Sequence, residues 1–274
     1  LTLLMGRVLT GTEAAAEAIH AALALELLHT ASLVHDDVVD ESDRRRGQRS
    51  VNAVFDNQVA VLVGDYILSH ALEQASMTGS TCFVAMMSRL GQALADGEIL
   101  QLANMDSEDI TEQQYYEVIQ RKTASLFSAC ASAVAVMMQH PEAEDCRRLG
   151  ELIGIVFQMR DDVFDLAPDA SMGKPSGADL AEGKLTLPVI HAVQEDDALR
   201  PAALRVRRHE ADADDLRRLT LAAQTSGVDY ARRQMEERVQ EAHDIAIRMA
   251  RPDICADTIA ALHAYIDYAA QRKN

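Results

Sequence analysis

Leu33-Val34-His35-Asp36-Asp37-Val38-Val39-Asp40 closes a long apolar run of helical spacing, and its last five residues have the form D-D-x-x-D. On a helix, residues i and i+4 share a face, so Asp36 and Asp40 aim at one point. Two carboxylates at that spacing repel each other by roughly a few tenths of a kcal/mol. The same design returns as Asp161-Asp162-Val163-Phe164-Asp165, again after an apolar helical pattern. The repeat makes physical sense if a cation sits between the two copies. Oxygen-only ligands select a hard ion, and Mg²⁺ shared with phosphate oxygens is the choice that follows. Asp36, Asp37, Asp40, Asp161, Asp162 and Asp165 are therefore the metal-ligand candidates. One such pentad alone could equally be an acidic helix end. Two, each followed by a basic loop, argue for the cation.

Outward from the pentads, helical periodicity fills most of the chain. It predicts helices over 13–40, 53–76, 80–104, 111–139, 142–165, 185–194, 211–225, 228–249 and about 253–270. Thr111-Glu112-Gln113-Gln114 fits a capping box, and Pro141 suits a helix start. No stretch alternates with period two, so no sheet is expected. The fold class is all-α, one helical domain over 1–274. Two polar loops, 41–50 and 168–183, each follow a pentad, and the acidic stretch 195–215 reads as a solvated surface segment.

With 274 residues, 48% of them apolar, the chain can bury a large core. Its formal net charge of −17 excludes nonspecific nucleic-acid binding. An anionic substrate then needs locally placed cations. Cys82, Cys130, Cys146 and Cys255 lack C-x-x-C spacing and read mainly as buried free thiols, which suits a reducing cytoplasm. No run reaches the length that spans a bilayer, and no signal-peptide pattern is present. The chain opens at Leu1 inside an apolar pattern, which reads as a fragment lacking its N-terminal segment.

Basic residues flank the acidic ones. Arg45 and Arg46 follow the first pentad, Lys174 and Lys184 follow the second, and Arg121, Lys122 and Thr123 lie between them. Arg offers a donor fork and Lys a point charge to diphosphate oxygens. Carboxylates, Mg²⁺, diphosphate and bases would alternate in charge and neutralise a departing diphosphate.

The chain resembles the all-trans isoprenyl (polyprenyl) diphosphate synthases. The residues that carry the likeness are Glu26 to Thr30, Leu33 to Asp40, Arg45-Arg46-Gly47, Gly64-Asp65-Tyr66, Gly97-Glu98 with Gln101, Lys122-Thr123-Ala124, Phe157 to Asp162, Gly173-Lys174, Asp179-Leu180 and Glu182 to Pro188. They span nearly the whole chain in the family's order. The resemblance implies a helical bundle around a deep central apolar cavity, the isoprenoid synthase fold, with both pentads at its mouth. It implies Mg²⁺ as cofactor and transfer of an allylic chain to isopentenyl diphosphate. Asp36, Asp40 and Asp161 match metal ligands; with Lys122 and Lys184 they are the catalytic candidates. Arg45, Lys122, Lys174 and Lys184 match groups that hold the allylic diphosphate, and Thr123 joins the substrate-binding set. Gln158 matches the position beside the reacting chain. His29 and Arg46 match the isopentenyl diphosphate site. A homodimer is expected on the same basis. The family's Gly-Gly-Lys-x-x-Arg-Pro segment is absent and would fall just before Leu1.

Product length depends on what blocks the cavity along the first pentad's helix. Ala31 and Ser32 lie one turn before Asp36, with Leu28 next, then Ala24, Leu25 and Ala21. None is aromatic, so the expected product is longer than geranylgeranyl. Rival readings meet objections in the sequence. Glu17-x-x-His20 and Glu26-x-x-His29 match di-iron spacing but share one helix, so they cannot close one site. A noncatalytic partner subunit of a heteromeric synthase need not keep both metal motifs.

Overall fold

The computed structural model describes residues 1–12, 15–45, 47–166 and 177–271; the candidates Arg46 and Lys174 lie outside them. In chain order the helices are α1 (Thr2–Thr10), α2 (Ala16–Val39), α3 (Val51–Val54), α4 (Asn57–Met77), α5 (Thr81–Met105), α6 (Glu112–Ile119) and α7 (Ser125–Met138). They continue with α8 (Ala143–Leu166), α9 (Ala178–Ala181), α10 (Leu187–Glu195), α11 (Arg200–Arg207), α12 (Ala213–Ala222), α13 (Val228–Met249) and α14 (Ala256–Gln271). The fold is all-α. Contrary to the expectation of no sheet, Arg44–Arg45 (β1) and Gln48–Arg49 (β2) pair as an antiparallel ribbon. Gly47, at φ 78°, takes a left-handed conformation at its turn.

The described residues divide into two compact units, each built from interleaved segments. The first comprises 1–94, 126–150 and 249–259. Its α2 packs most extensively on α4. Ala21 and Ala24 of α2, and Ala71 and Ala75 of α4, are all buried. Alanines bury little area themselves, but they let two helix backbones approach closely. Phe83, Met87 and Leu90 of α5 complete that core. By length and composition alone α2 could cross a membrane, at 24 residues and a mean hydropathy of 1.2. This differs from the expectation of no membrane-length run. Ala21, Ala24, Leu25 and Leu28 give it a side buried against protein, while Ile19, Leu23 and Val39 stay exposed.

The second unit comprises 95–125, 151–248 and 260–274. Its core gathers Ile119, Met159, Leu166, Leu187, Ile190 and Leu219. Fully burying such a side chain contributes roughly 1.5–3 kcal/mol, so this cluster dominates the unit's stability. The capping box forms as expected: Gln114 N–H donates to Thr111 Oγ1 at 3.2 Å, and Thr111 N–H donates to Gln114 Oε1 at 3.3 Å. The predicted helix 111–139 carries a π-helical turn over Gln120–Ala124, and a second such turn spans Ala223–Gly227. The stretch 195–215 is largely exposed, as expected of a surface segment, but it also packs inward. It contains α11, with Ala202, Ala203 and Val206 buried, and Arg207 donates to the carbonyls of Ser107 and Asp109. The four cysteines are free, but only Cys146 is fully buried; Cys82 and Cys255 are exposed, against the expectation of buried thiols.

Candidate active site

Helix α2 ends at Val39, Asp40 is its C-cap, and Glu41 takes φ 50°. Helix α8 is described as far as Leu166. The first pentad therefore crowds carboxylates into a helix C-terminus, where the backbone already carries partial negative charge. The last turn of α2 holds no basic residue. Each misplaced carboxylate costs about 0.3–1 kcal/mol there, plus the mutual repulsion of the pair. A divalent cation reverses that sign.

In the first unit the middle aspartate of the pentad is buried, with Asp37 4% exposed. Its Oδ1 accepts from Arg45 Nε at 2.9 Å and from Arg45 Nη2 at 2.8 Å. Asn52 Nδ2 donates to the carbonyls of Asp37 and Ser42, each at 3.2 Å, tying the ribbon to the end of α2. Asp37 thus positions Arg45, while Asp36 is half-buried and Asp40 exposed. Gly64 explains the Gly64-Asp65-Tyr66 motif. A Cβ there would lie 2.2 Å from His35 Nε2, so only glycine admits the ring that reaches Asp65 Oδ1 at 3.4 Å. Leu28 and Ala31 are buried, and the Ser32 hydroxyl donates to the His29 carbonyl at 2.9 Å. His29 lines a cavity of about 220 Å³ with Leu25, Glu26 and Cys130.

The second unit repeats the pattern. Asp162 is 2% exposed and both its oxygens are engaged. Tyr115 O–H donates to Oδ2 at 2.6 Å and Gln158 Nε2 donates to Oδ1 at 2.9 Å. Thr123 Oγ1 donates to Gln158 Oε1 at 3.0 Å, so three sequence-predicted residues share one network. Burial first, then the Asp179 carboxylate, pushes the Asp162 carboxyl up to about 7. Burial first, then Asp162, holds Tyr115 well above its ordinary range. Tyr115 was not a sequence candidate. Asp165 caps α9, accepting from the N–H groups of Ala178 at 3.1 Å and Asp179 at 3.2 Å. Asp161 accepts from Arg160 Nη1 at 2.8 Å and keeps a side-chain exposure of 36%.

Lys122 sits in the π-helical turn, a local backbone insertion that frequently marks functional positions. Its Nζ lies 2.5 Å from Glu98 Oε2 and 3.4 Å from Gln101 Oε1. Lys184 Nζ lies 2.8 Å from Glu182 Oε2. A cavity of about 610 Å³ between α9 and α12 holds none of the sequence-predicted site residues.

Among the described residues, no three His, Cys, Asp or Glu side chains form a ready-made metal cluster. The accessible carboxylates of Asp36, Asp40 and Asp161 are hard oxygen donors of the kind that suits Mg²⁺, commonly held through one or two carboxylates with waters and substrate phosphate.

Known proteins place the chain. The polyprenyl synthetase family model matches residues 1–221. An octaprenyl diphosphate synthase of Haemophilus influenzae is 38% identical over 225 residues, covering 80% of this chain and 68% of that protein. A solved geranylgeranyl pyrophosphate synthase from Bacteroides thetaiotaomicron superposes with a TM-score of 0.86 at 40% identity, over 99% of this chain and 86% of that one. A solved decaprenyl diphosphate synthase from Rhodobacter capsulatus gives 0.89 at 31% identity, over 100% and 84%.

Proposed function

The chain belongs to the polyprenyl synthetase family, and from that premise we propose that it condenses an allylic diphosphate with isopentenyl diphosphate to build a trans-polyprenyl diphosphate longer than geranylgeranyl. The observation that carries this reading is the paired design of the two pentads. In each, the middle aspartate is buried and anchors a substrate-facing residue, Arg45 or Gln158. The likeness to octaprenyl and decaprenyl synthases supports the long product.

In this reading Asp36, Asp40 and Asp161 hold Mg²⁺, while Asp37, Asp162 and Asp165 organise what surrounds them. Bound Mg²⁺ supplies charge neutralisation to the leaving diphosphate. Arg45, Lys122 and Lys184 add fixed positive charge to its remaining oxygens, with Arg46 and Lys174 in the same set. The allylic C–O bond breaks and the carbon becomes cationic. The isopentenyl double bond attacks it, a C–C bond forms, and the released diphosphate takes the proton. Gln158, fixed by Thr123 and Asp162, flanks the reacting chain. Apolar walls keep water from the cation. His29 belongs to isopentenyl diphosphate binding. A cytoplasmic homodimer belongs to the same reading; Leu62 and Tyr66, one turn apart on α4 and each 67% exposed, offer apolar surface for a second copy.

The test is to incubate full-length protein with farnesyl diphosphate, labelled isopentenyl diphosphate and Mg²⁺, then chromatograph the dephosphorylated products. A label-bearing alcohol beyond geranylgeraniol is expected. No extractable labelled product would refute the reading.

A further inference from the structure

We propose that His243 and His263 form a binding site for a transition-metal ion of the Zn²⁺ class, which clamps α13 to α14. The inference does not depend on the elongation reading.

His243 lies on α13 and His263 on α14, and both belong to the second compact unit. Both fall beyond residues 1–221, the part that the family model matches. His243 Nδ1 lies 2.6 Å from His263 Nδ1, with ring centroids 4.9 Å apart and the planes 28° from parallel. The other nitrogen of the His243 ring, Nε2, lies 3.0 Å from Asp267 Oδ1. Asp267 follows His263 by one turn on the same face, so α14 engages both nitrogens of the His243 ring.

An ionised carboxylate only accepts, so Asp267 takes the N–H of His243 Nε2. That leaves the lone pair of His243 on Nδ1, aimed at His263. Two neutral imidazoles can share this contact only when the His263 proton sits on its Nδ1. In the other tautomer of His263, two lone pairs face each other, and a cation between them replaces the shared proton. The outer half of the arrangement is what metal-bound histidines use. Their remaining ring N–H goes to a carboxylate, which fixes the ring and raises its basicity. Burial first, then the facing His243, holds the His263 imidazole below its ordinary value. Near neutral pH its nitrogen is therefore open to a metal rather than taken by a second proton.

Imidazole nitrogen suits Zn²⁺, Cu²⁺ and Ni²⁺, whereas Mg²⁺ prefers oxygen. Tetrahedral Zn–N bonds of about 2.0–2.1 Å put two ligand nitrogens about 3.4 Å apart, so the rings must part by roughly 0.8 Å. Both side chains are only half-buried, which leaves them room for that rotation. Among the described residues no three such side chains form a complete metal cluster. The pair therefore supplies two ligands, and water completes the shell. An ion bound to both helices stabilises their packing by mass action.

The experiment titrates Zn²⁺ by calorimetry into full-length protein kept in excess Mg²⁺, at neutral and at mildly acidic pH, and records thermal melts with and without Zn²⁺. Binding of Zn²⁺ that raises Tm and weakens in acid is expected. His243→Gln and His263→Gln should each abolish it, and Asp267→Asn should weaken it about 10-fold or more. A Cys82→Ser, Cys255→Ser double variant, lacking the exposed thiols, should bind as the wild type does. Imidazole resonances of the wild-type protein, shifted on addition of Zn²⁺, read the same site without any substitution. Absence of Zn²⁺ binding, or binding that survives both histidine substitutions, overturns the assignment and leaves the cluster a hydrogen-bonded relay between two helices.

Discussion

Replacing Gly97 with alanine tests how Lys122 is held. An alanine Cβ at that position would lie 2.7 Å from the Lys122 backbone nitrogen, 3.0 Å from Arg121 Cβ and 3.1 Å from the Arg121 carbonyl carbon. Two of those three atoms are backbone, so no rotamer change relieves the contact. Alanine's better helix propensity favours the variant by about 0.8–1 kcal/mol. Overpacking opposes it by about 1–3 kcal/mol. The net change is a mild destabilisation of about 0–2 kcal/mol, and the protein should still fold. To relieve the clash, the turn over Gln120–Ala124 must retreat from α5 by roughly 1 Å. Lys122 then loses its seat against Glu98 and Gln101. A misplacement of that size costs up to about 100-fold in rate. Steady-state incorporation of labelled isopentenyl diphosphate should therefore show kcat/KM reduced about 10- to 100-fold with only a modest fall in Tm. Gly91→Ala is the control, because a Cβ there meets nothing within 4 Å. It should keep full activity. Wild-type kinetics in Gly97→Ala would refute the idea that close approach of α5 positions Lys122.

Two further substitutions probe the site. Tyr115→Phe strips Asp162 of a buried donor and should cost about 1–3 kcal/mol in urea denaturation; an unchanged midpoint would show that the bond contributes nothing. Ser32→Phe, one turn before Asp36, should shorten the product to about farnesyl or geranylgeranyl length on the helix geometry of i, i+4 neighbours; unchanged chromatograms would show that the chain does not pass that face.

The pentads, their helices and the capping box at Thr111 were legible because each depends on residues within one or two turns. The range Val228–Met249 was also read correctly from periodicity. What escaped depends on partners distant in sequence or on patterns hidden by charge. In 195–215, charged residues masked Ala202, Ala203 and Val206, and Arg207 is satisfied by carbonyls about 100 positions away. The Tyr115–Asp162 bond joins residues 47 apart, and nothing local announces it. A π-helical turn adds a residue within continuous helix, so the apolar pattern shifts without breaking. The burial of Asp37 and Asp162 was hidden for a related reason: spacing shows which aspartates share a face, not which face is covered.

The most direct test measures Mg²⁺-dependent binding of inorganic diphosphate by calorimetry, in the wild-type protein and in Asp36→Asn and Asp161→Asn, with folding checked by circular dichroism. Tight binding with Mg²⁺, loss of that binding in EDTA, and marked weakening in each variant are the expected results. Equal binding in EDTA, or wild-type affinity in both folded variants, would contradict the claim that the two acidic motifs act together through a divalent ion.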